Sequence, residues 1–226
     1  MDIELNLLEK YLLIALDDDK GSFVNDSIHL HYGFAGAILL EMAIRGKIEV
    51  FGEKIILKDR ATEKEIALNK AIELMVEEGG MKTKDLVGKL SKKASEFKND
   101  TLQKLINKGV LEKKEGKILW IFPNDKYPTQ NNLPENKLRQ RLNDVVLYGK
   151  KAEAEDVMLL SLINVAGLTK EAFRDAEDRK AIAKKIEAMT SDMKLSQVIN
   201  ASIREIQAAI MIAITSAVIV TTVTSN

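Results

Sequence analysis

The chain has 226 residues, 46% apolar and 30% charged, with 34 Lys and Arg against 34 Asp and Glu, no Cys and three Pro. That is enough apolar material for one fair-sized globular domain, and it excludes a disordered or collagen-like chain, a disulfide framework, a zinc–thiolate site and a thiol nucleophile. Zero net charge argues against a surface that is one electrostatic clamp for nucleic acid or anionic lipid, yet the balance hides a segregation, because residues 81–120 hold eleven Lys, no Arg and five acids.

The absence of Cys and the acidic opening Met1-Asp2-Ile3-Glu4 predict a cytoplasmic protein without a secretory signal. Asn6 followed by Glu9 has the spacing of a capping box, so a helix should run from Leu7 to Leu16. Asp17-Asp18-Asp19-Lys20-Gly21 reads as a turn. Ala35, Ile38, Leu39 and Met42 then recur at the spacing of a buried helix face, which Arg45-Gly46 closes. Around Gly52-Glu53, KIEVFGEKIILK alternates apolar and polar residues and predicts a β-hairpin.

A further amphipathic helix is expected over 63–78, closed by Gly79-Gly80, and two more over 83–90 and 98–108. A second hairpin over 110–122 should turn at Glu115-Gly116. Pro123 to Pro134 holds all three Pro and is the one long loop-like stretch. Beyond it helices are expected over 135–147, 152–166, 169–189 and 195–222. The fold class is therefore mainly α: a single globular helical domain over 1–226 with two small β-hairpins, the second attached to a winged-helix-like segment over 81–122. From Ile206 to Val223 the chain carries no charge. A stretch of about 18 to 20 apolar residues can span a bilayer, so two readings stand, a buried C-terminal helix or a membrane-inserted tail. Its apolar character all round excludes a half-exposed surface helix.

Candidate chemistry is sparse. Asp17-Asp18-Asp19 offers carboxylate oxygens but lacks the alternating ligands of a calcium loop, so it reads as an acidic turn. His29 and His31 share one side of a strand but diverge on a helix, and no third metal ligand lies near them in sequence. Gly33 and Gly36 lack the rest of a dinucleotide or P-loop pattern, which makes close helix packing their purpose. Nothing nominates a catalytic residue, a metal site or a cofactor. The order helix, helix, two-stranded wing over 81–122 matches a winged helix-turn-helix, with Lys98, Asn99, Gln103, Lys104 and Asn107 on the second helix but no Arg to read guanine.

The runs LNLLEKYLLIALDDDKGSFVND, GFAGAILLEMAIRGKIEV and TLQKLINKGVLEKKEGKILWIFPNDKYP, in that order, resemble the Golgi phosphoprotein 3 family, and the resemblance continues to about residue 212. Its most specific piece is Leu39-Leu40-Glu41-Met42-Ala43-Ile44-Arg45-Gly46-Lys47-Ile48. The resemblance implies a mostly helical, non-catalytic domain that sits peripherally on membranes. Eukaryotic members bind phosphatidylinositol 4-phosphate at the Golgi and retain glycosylation enzymes there. Carried over by position, the headgroup site falls on Val24, Asn25, Asp26, Ala35, Ser95 and Lys98. The family's Trp before Asn-Asp is Val24 here, one Arg becomes Ala35 after a stretch about two residues longer, and two more fall on Ser95 and Lys98.

One positive charge of three survives, and a lone Lys cannot copy the paired bonds of Arg to phosphate. The expected partner is therefore an anionic membrane surface or phosphoinositide held weakly, through Lys98 and a basic patch of Lys82, Lys84, Lys89, Lys92 and Lys93. The chain begins at the domain's first helix and extends past the family's last one. The 110–122 hairpin matches an element the family uses for self-association, with Leu119, Trp120 and Ile121 as the expected contacts of a homo-oligomer. Two rival readings use the same features: a winged-helix DNA-binding protein acting through these lysines, and a purely structural self-associating protein.

Overall fold

A computed structural model describes residues 3–118, 122–123, 125–192 and 197–224. The first helix, α1 (Leu7–Ala15), starts with the expected capping box: Asn6 accepts from the Glu9 amide at 3.0 Å, and Glu9 accepts from the Asn6 amide at 2.9 Å. α1 lies against α2 (Ser27–Ile44), which is buried almost all round from Leu30 to Met42. Among the described residues α2 is long and apolar enough to cross a membrane, but here α1, α4 (Thr83–Lys92), α7 (Ala154–Val165) and α10 (Gln197–Thr224) enclose it.

Gly33 and Gly36 make that enclosure possible. A Cβ on Gly33 would sit 2.1 Å from the Tyr11 hydroxyl, and one on Gly36 would sit 2.3 Å from Cδ1 of Ile210. Both glycines serve close helix packing, as their sequence context suggests. After α2, β1 (Ile48–Phe51) and β2 (Lys54–Leu57) form the expected hairpin about Gly52-Glu53. Beyond α3 (Ile66–Glu78), β3 (Met81–Lys82) adds a third antiparallel strand to this sheet, pairing Ile55 with Met81. α4 (Thr83–Lys92) and α5 (Ala94–Asn107) meet at Lys93.

The second hairpin follows α5 as expected, but its turn is elsewhere. β4 (Lys117–Ile118) pairs with β5 (Phe122–Pro123), and Lys114↔Lys126 and Leu111↔Thr129 continue the same register. The strands therefore flank residues 119–121 and not Glu115-Gly116, because the backbone ladder from Leu111 outward leaves no reversal at Gly116. Leu119, Trp120 and Ile121 lie outside the described residues. β3 joins the first sheet and not this hairpin.

The C-terminal half is helical: α6 (Leu133–Val146), α7 (Ala154–Val165), α8 (Thr169–Ala172), α9 (Arg179–Asp192) and α10 (Gln197–Thr224). The single helix expected over 169–189 is broken in two. Phe173 leaves the helical region at φ −124° and is buried, while the Asp178 carboxylate accepts from the Ala181 amide at 2.9 Å and caps the new start. In α10, Ile203, Ile206, Ala209, Ile210 and Ile214 are buried, with α2, α4 and α7 packed on the helix. Its other side exposes Met211 and Ile212, so over 203–217 this is a half-exposed helix. That corrects the expectation drawn from composition: small Ala, Ser and Thr on the outer face, with two large side chains, make a tolerable surface.

A cluster of charged side chains, buried at Glu135 and exposed at Arg174, ties the acidic turn to the helical half. Arg174 donates to both Asp18 oxygens at 2.8 and 2.9 Å, and Arg139 Nη2 donates to Glu135 at 2.7 Å while lying 3.3 Å from Glu171. Asp17 caps its own turn by accepting from the Lys20 amide at 2.7 Å. At Gly21 (φ +61°) a Cβ would lie 2.2 Å from the Pro128 nitrogen, so the turn presses directly on the hairpin's returning strand.

Two measurements test this packing. Gly36→Ala should lose about 2 kcal/mol in urea unfolding, because overpacking costs more than helix propensity returns. Gly88→Ala, in α4 with nothing within 4 Å of the added methyl, should gain about 0.5–1 kcal/mol. Separately, burial, with Asp18 nearby, pushes the Glu135 carboxyl from 4.5 up to about 7, although Arg139 opposes the shift. Between those values the folded state holds more protons than the unfolded one, so this group's stabilising contribution is complete below 4.5 and fades as pH rises toward 7. Wild type should therefore lose stability relative to Glu135→Gln across that window, read as the difference in urea midpoint.

Candidate anion-binding site

The residues carried over from the family gather where the start of α2 meets the start of α5. Asp26 is the N-cap of α2, accepting from the His29 amide at 2.9 Å and pairing with the His29 ring at 2.6 Å. Burial works against its charge, but these His29 contacts hold its carboxyl below the usual carboxylate range. Asp26 thus organises the helix start and is committed to His29. Val24 is 42% exposed just before it, where an apolar side chain faces solvent. Asn25 lies between them with both polar atoms of its amide buried, and it acts on the Tyr11 hydroxyl. That phenol is fully buried and bonded to the Leu30 carbonyl at 3.3 Å, and burial raises its ionisation well above its ordinary value.

On the other side, Ser95 and Lys98 lie one turn apart on α5. Ser95 Oγ is 3.2 Å from Nε2 of His31, and the Lys98 ammonium sits 4.7 Å from the centroid of the Phe23 ring. Burial lowers the proton affinity of Lys98, and burial followed by the Lys98 charge lowers that of His31. Burial therefore works against a positive charge on either group, and the Lys98 charge works further against one on His31. Ala35 is fully buried one turn beyond His31, so it shapes the core beneath the site and offers no contact to a ligand.

Phe23 and His31 were not singled out for this site by sequence reasoning. Both histidines lie in the stretch from Asn25 to Gly36, ahead of the buried helix face that begins at Ala35. On α2 the two rings diverge, as helical geometry requires, with His29 on Asp26 and His31 on Ser95.

The basic patch divides. Lys82 pairs with Glu53 at 3.0 Å, Lys89 pairs with Glu78, and Lys84 acts on the same Glu53. Among the described residues Lys92 and Lys93 are exposed with no ion-pair partner, at the α4–α5 junction just before Ser95. In α5, Gln103 donates to Asn107 at 3.0 Å and Lys104 pairs with Asp100 at 3.1 Å, so three of the side chains considered for reading bases already bond one another or a neighbour.

At the far end of α2 a cavity of about 1220 Å³ opens between α1, α5, α6 and α7. Several of its charges are paired across the walls, Lys108 with Glu9 at 2.7 Å, Arg45 with Glu65 at 2.9 Å and Arg141 with Asp156 at 2.6 Å. Among the described residues no three His, Asp or Glu converge as metal ligands.

The sequence matches the family model described as Golgi phosphoprotein 3 (GPP34) over residues 7–209. It is also similar to vacuolar protein sorting-associated protein 74 of Schizosaccharomyces pombe, 28% identical over 165 residues, which cover 63% of this chain and 48% of that protein. The chain thus spans about half the length of this curated relative. The matched region runs from the first residue of α1 through α9 into the first half of α10, the α2–α5 site included, and on that ground the chain belongs to the Golgi phosphoprotein 3 family.

Proposed function

We propose that this chain is a non-catalytic, adaptor-type module that associates peripherally with membranes by holding an anionic lipid headgroup where α2 meets α5. The observation that carries this reading is the convergence of Ser95, Lys98 and His31 beside the unpaired Lys92 and Lys93. Lys98 and the two junction lysines supply attraction, and Ser95 and His31 supply directed hydrogen bonds. Exposed Val24 offers an apolar contact at the rim. Family membership supports a Golgi-side location, and the relative's name supports a role in protein sorting.

The attraction is modest in physical terms. A basic residue near an anionic surface contributes about 1 kcal/mol, and Lys offers phosphate a point charge without the two-pronged geometry of Arg. Binding should consequently be weak, salt-sensitive and tolerant of headgroup identity.

Co-sedimentation with vesicles decides between this and its rivals. Binding to phosphatidylcholine vesicles that contain phosphatidylinositol monophosphate or phosphatidylserine should exceed binding to phosphatidylcholine alone. Lys92→Glu combined with Lys93→Glu should weaken it at least tenfold, from about 1 kcal/mol per lost charge. Equal binding to neutral and charged vesicles removes the electrostatic membrane reading. Preference for duplex DNA over charged vesicles in the same buffer favours the nucleic-acid alternative.

A further inference from the structure

The cations of the α2–α5 site differ in kind. Lys98 carries an ammonium group that burial disfavours, whereas His31 carries an imidazole whose uptake of a proton is opposed by burial and then by the Lys98 charge, and which a bound anion would favour. Resting on the function proposed above, we propose that His31 is the second cation of this site and that it binds a phosphate-type anion only as it takes up a proton, so that affinity rises as pH falls.

The geometry supplies the reasons. His31 reaches the Ser95 hydroxyl at 3.2 Å, and that hydroxyl stands one turn from Lys98 on the same face of α5. With the ring neutral and Nε2 accepting, the hydroxyl proton points at the ring. Once Nε2 carries a proton it donates to Ser95 Oγ, and the hydroxyl proton is released toward a ligand. Protonation therefore adds a charge and frees a donor in one step. An anion between His31 and Lys98 would screen the two from each other and stabilise the imidazolium, and by linkage the proton must favour the anion equally.

The surrounding groups do not supply that counter-charge. From α5, Lys98 is the charged group acting on His31, and it opposes protonation. On its own helix, Asp26 is committed to His29 at 2.6 Å. From the preceding loop, Phe23 presents its ring to Lys98. Among the described residues no acid pairs with His31, and a bound anion would fill that role.

The ligand chemistry is a divalent oxyanion, and a phosphomonoester itself titrates near neutral pH. Sulfate, which keeps its charge across the range, is therefore the first probe. His29 and His31 are the chain's two histidines, so their ring resonances can be followed by NMR in the intact protein. Sulfate should raise the midpoint of the His31 titration and leave that of His29 unmoved. Binding should be about tenfold tighter at about pH 5.5 than at about pH 8, flat for His31→Gln, and tight and flat for His31→Arg.

Vesicles containing phosphatidylinositol monophosphate and free inositol monophosphate then separate a lipid headgroup from a soluble ligand, the wild-type slope being compared with that of His31→Gln. An unchanged His31 midpoint at saturating sulfate, or an undiminished slope in His31→Gln, overturns the proposal. If sulfate shifts His31 but no vesicle binds at any pH, the proton-coupled anion site stands and the membrane reading fails. Should His31→Gln be unfolded by circular dichroism, the wild-type NMR titration decides alone.

Discussion

Burying α2 on nearly every side is the constraint from which the remaining structure follows. A helix with apolar residues all round has no surface to give to water, and four helices must reach it at once. Gly33 lets the Tyr11 ring of α1 close on it, and Gly36 lets Ile210 of α10 do so. A helix held this tightly has a fixed axial position. Its two ends therefore become fixed points, one bearing Asp26 and the histidines, the other bearing Arg45.

The Arg45 end explains the block of sequence most specific to the family. Glu41 is buried and accepts from the Leu7 amide at 2.9 Å, satisfying one of the unpaired N–H groups that begin α1. Arg45 bonds Glu41 at 2.8 Å and also reaches Glu63 and Glu65, while the buried Lys47 bonds Asp59 at 2.7 Å and the Ala61 carbonyl at 2.9 Å. Burial disfavours the Arg45 charge, but Glu65, Glu41 and Glu63 more than offset this and raise its proton affinity further. The motif holds the irregular segment 58–65 and the start of α1 to the end of the central helix. Its charges are occupied in folding, which is why the cavity beside it presents satisfied pairs.

Ion pairs also tie distant segments together. Some acids in the first eighty residues pair with Lys and Arg that the fold brings from far along the chain, such as Asp18 with Arg174 and Glu9 with Lys108. Within the lysine-rich block, Glu53 and Glu78 neutralise Lys82 and Lys89. Among the described residues Lys92 and Lys93 of that block are exposed without an ion-pair partner, next to Lys98 and His31, where burial disfavours a positive charge. Basic residues of similar appearance in sequence thus divide into those already paired within the fold and a small group at the α4–α5 junction.

Much of the fold was legible because its signals are local. The capping box at Asn6 and Glu9, the hairpin about Gly52, and the apolar period through Ala35 and Met42 each depend on backbone geometry over a few residues, and each forms where its pattern lies. Where long-range contacts compete, local patterns misplace the element. The break at Phe173 follows from burying its ring and pairing Arg174 with Asp18, and the hairpin turn follows from a ladder begun at Leu111. The outer face of α10 is likewise decided by which of its sides α2 occupies. Sequence by itself determined the family, the helical class and the basic block. Tertiary structure alone decided that Ala35 is core, that His31 stands beside Ser95 and Lys98, and which lysines keep their charge for a partner, because pairing between distant segments depends on how helices pack and leaves no trace in local spacing.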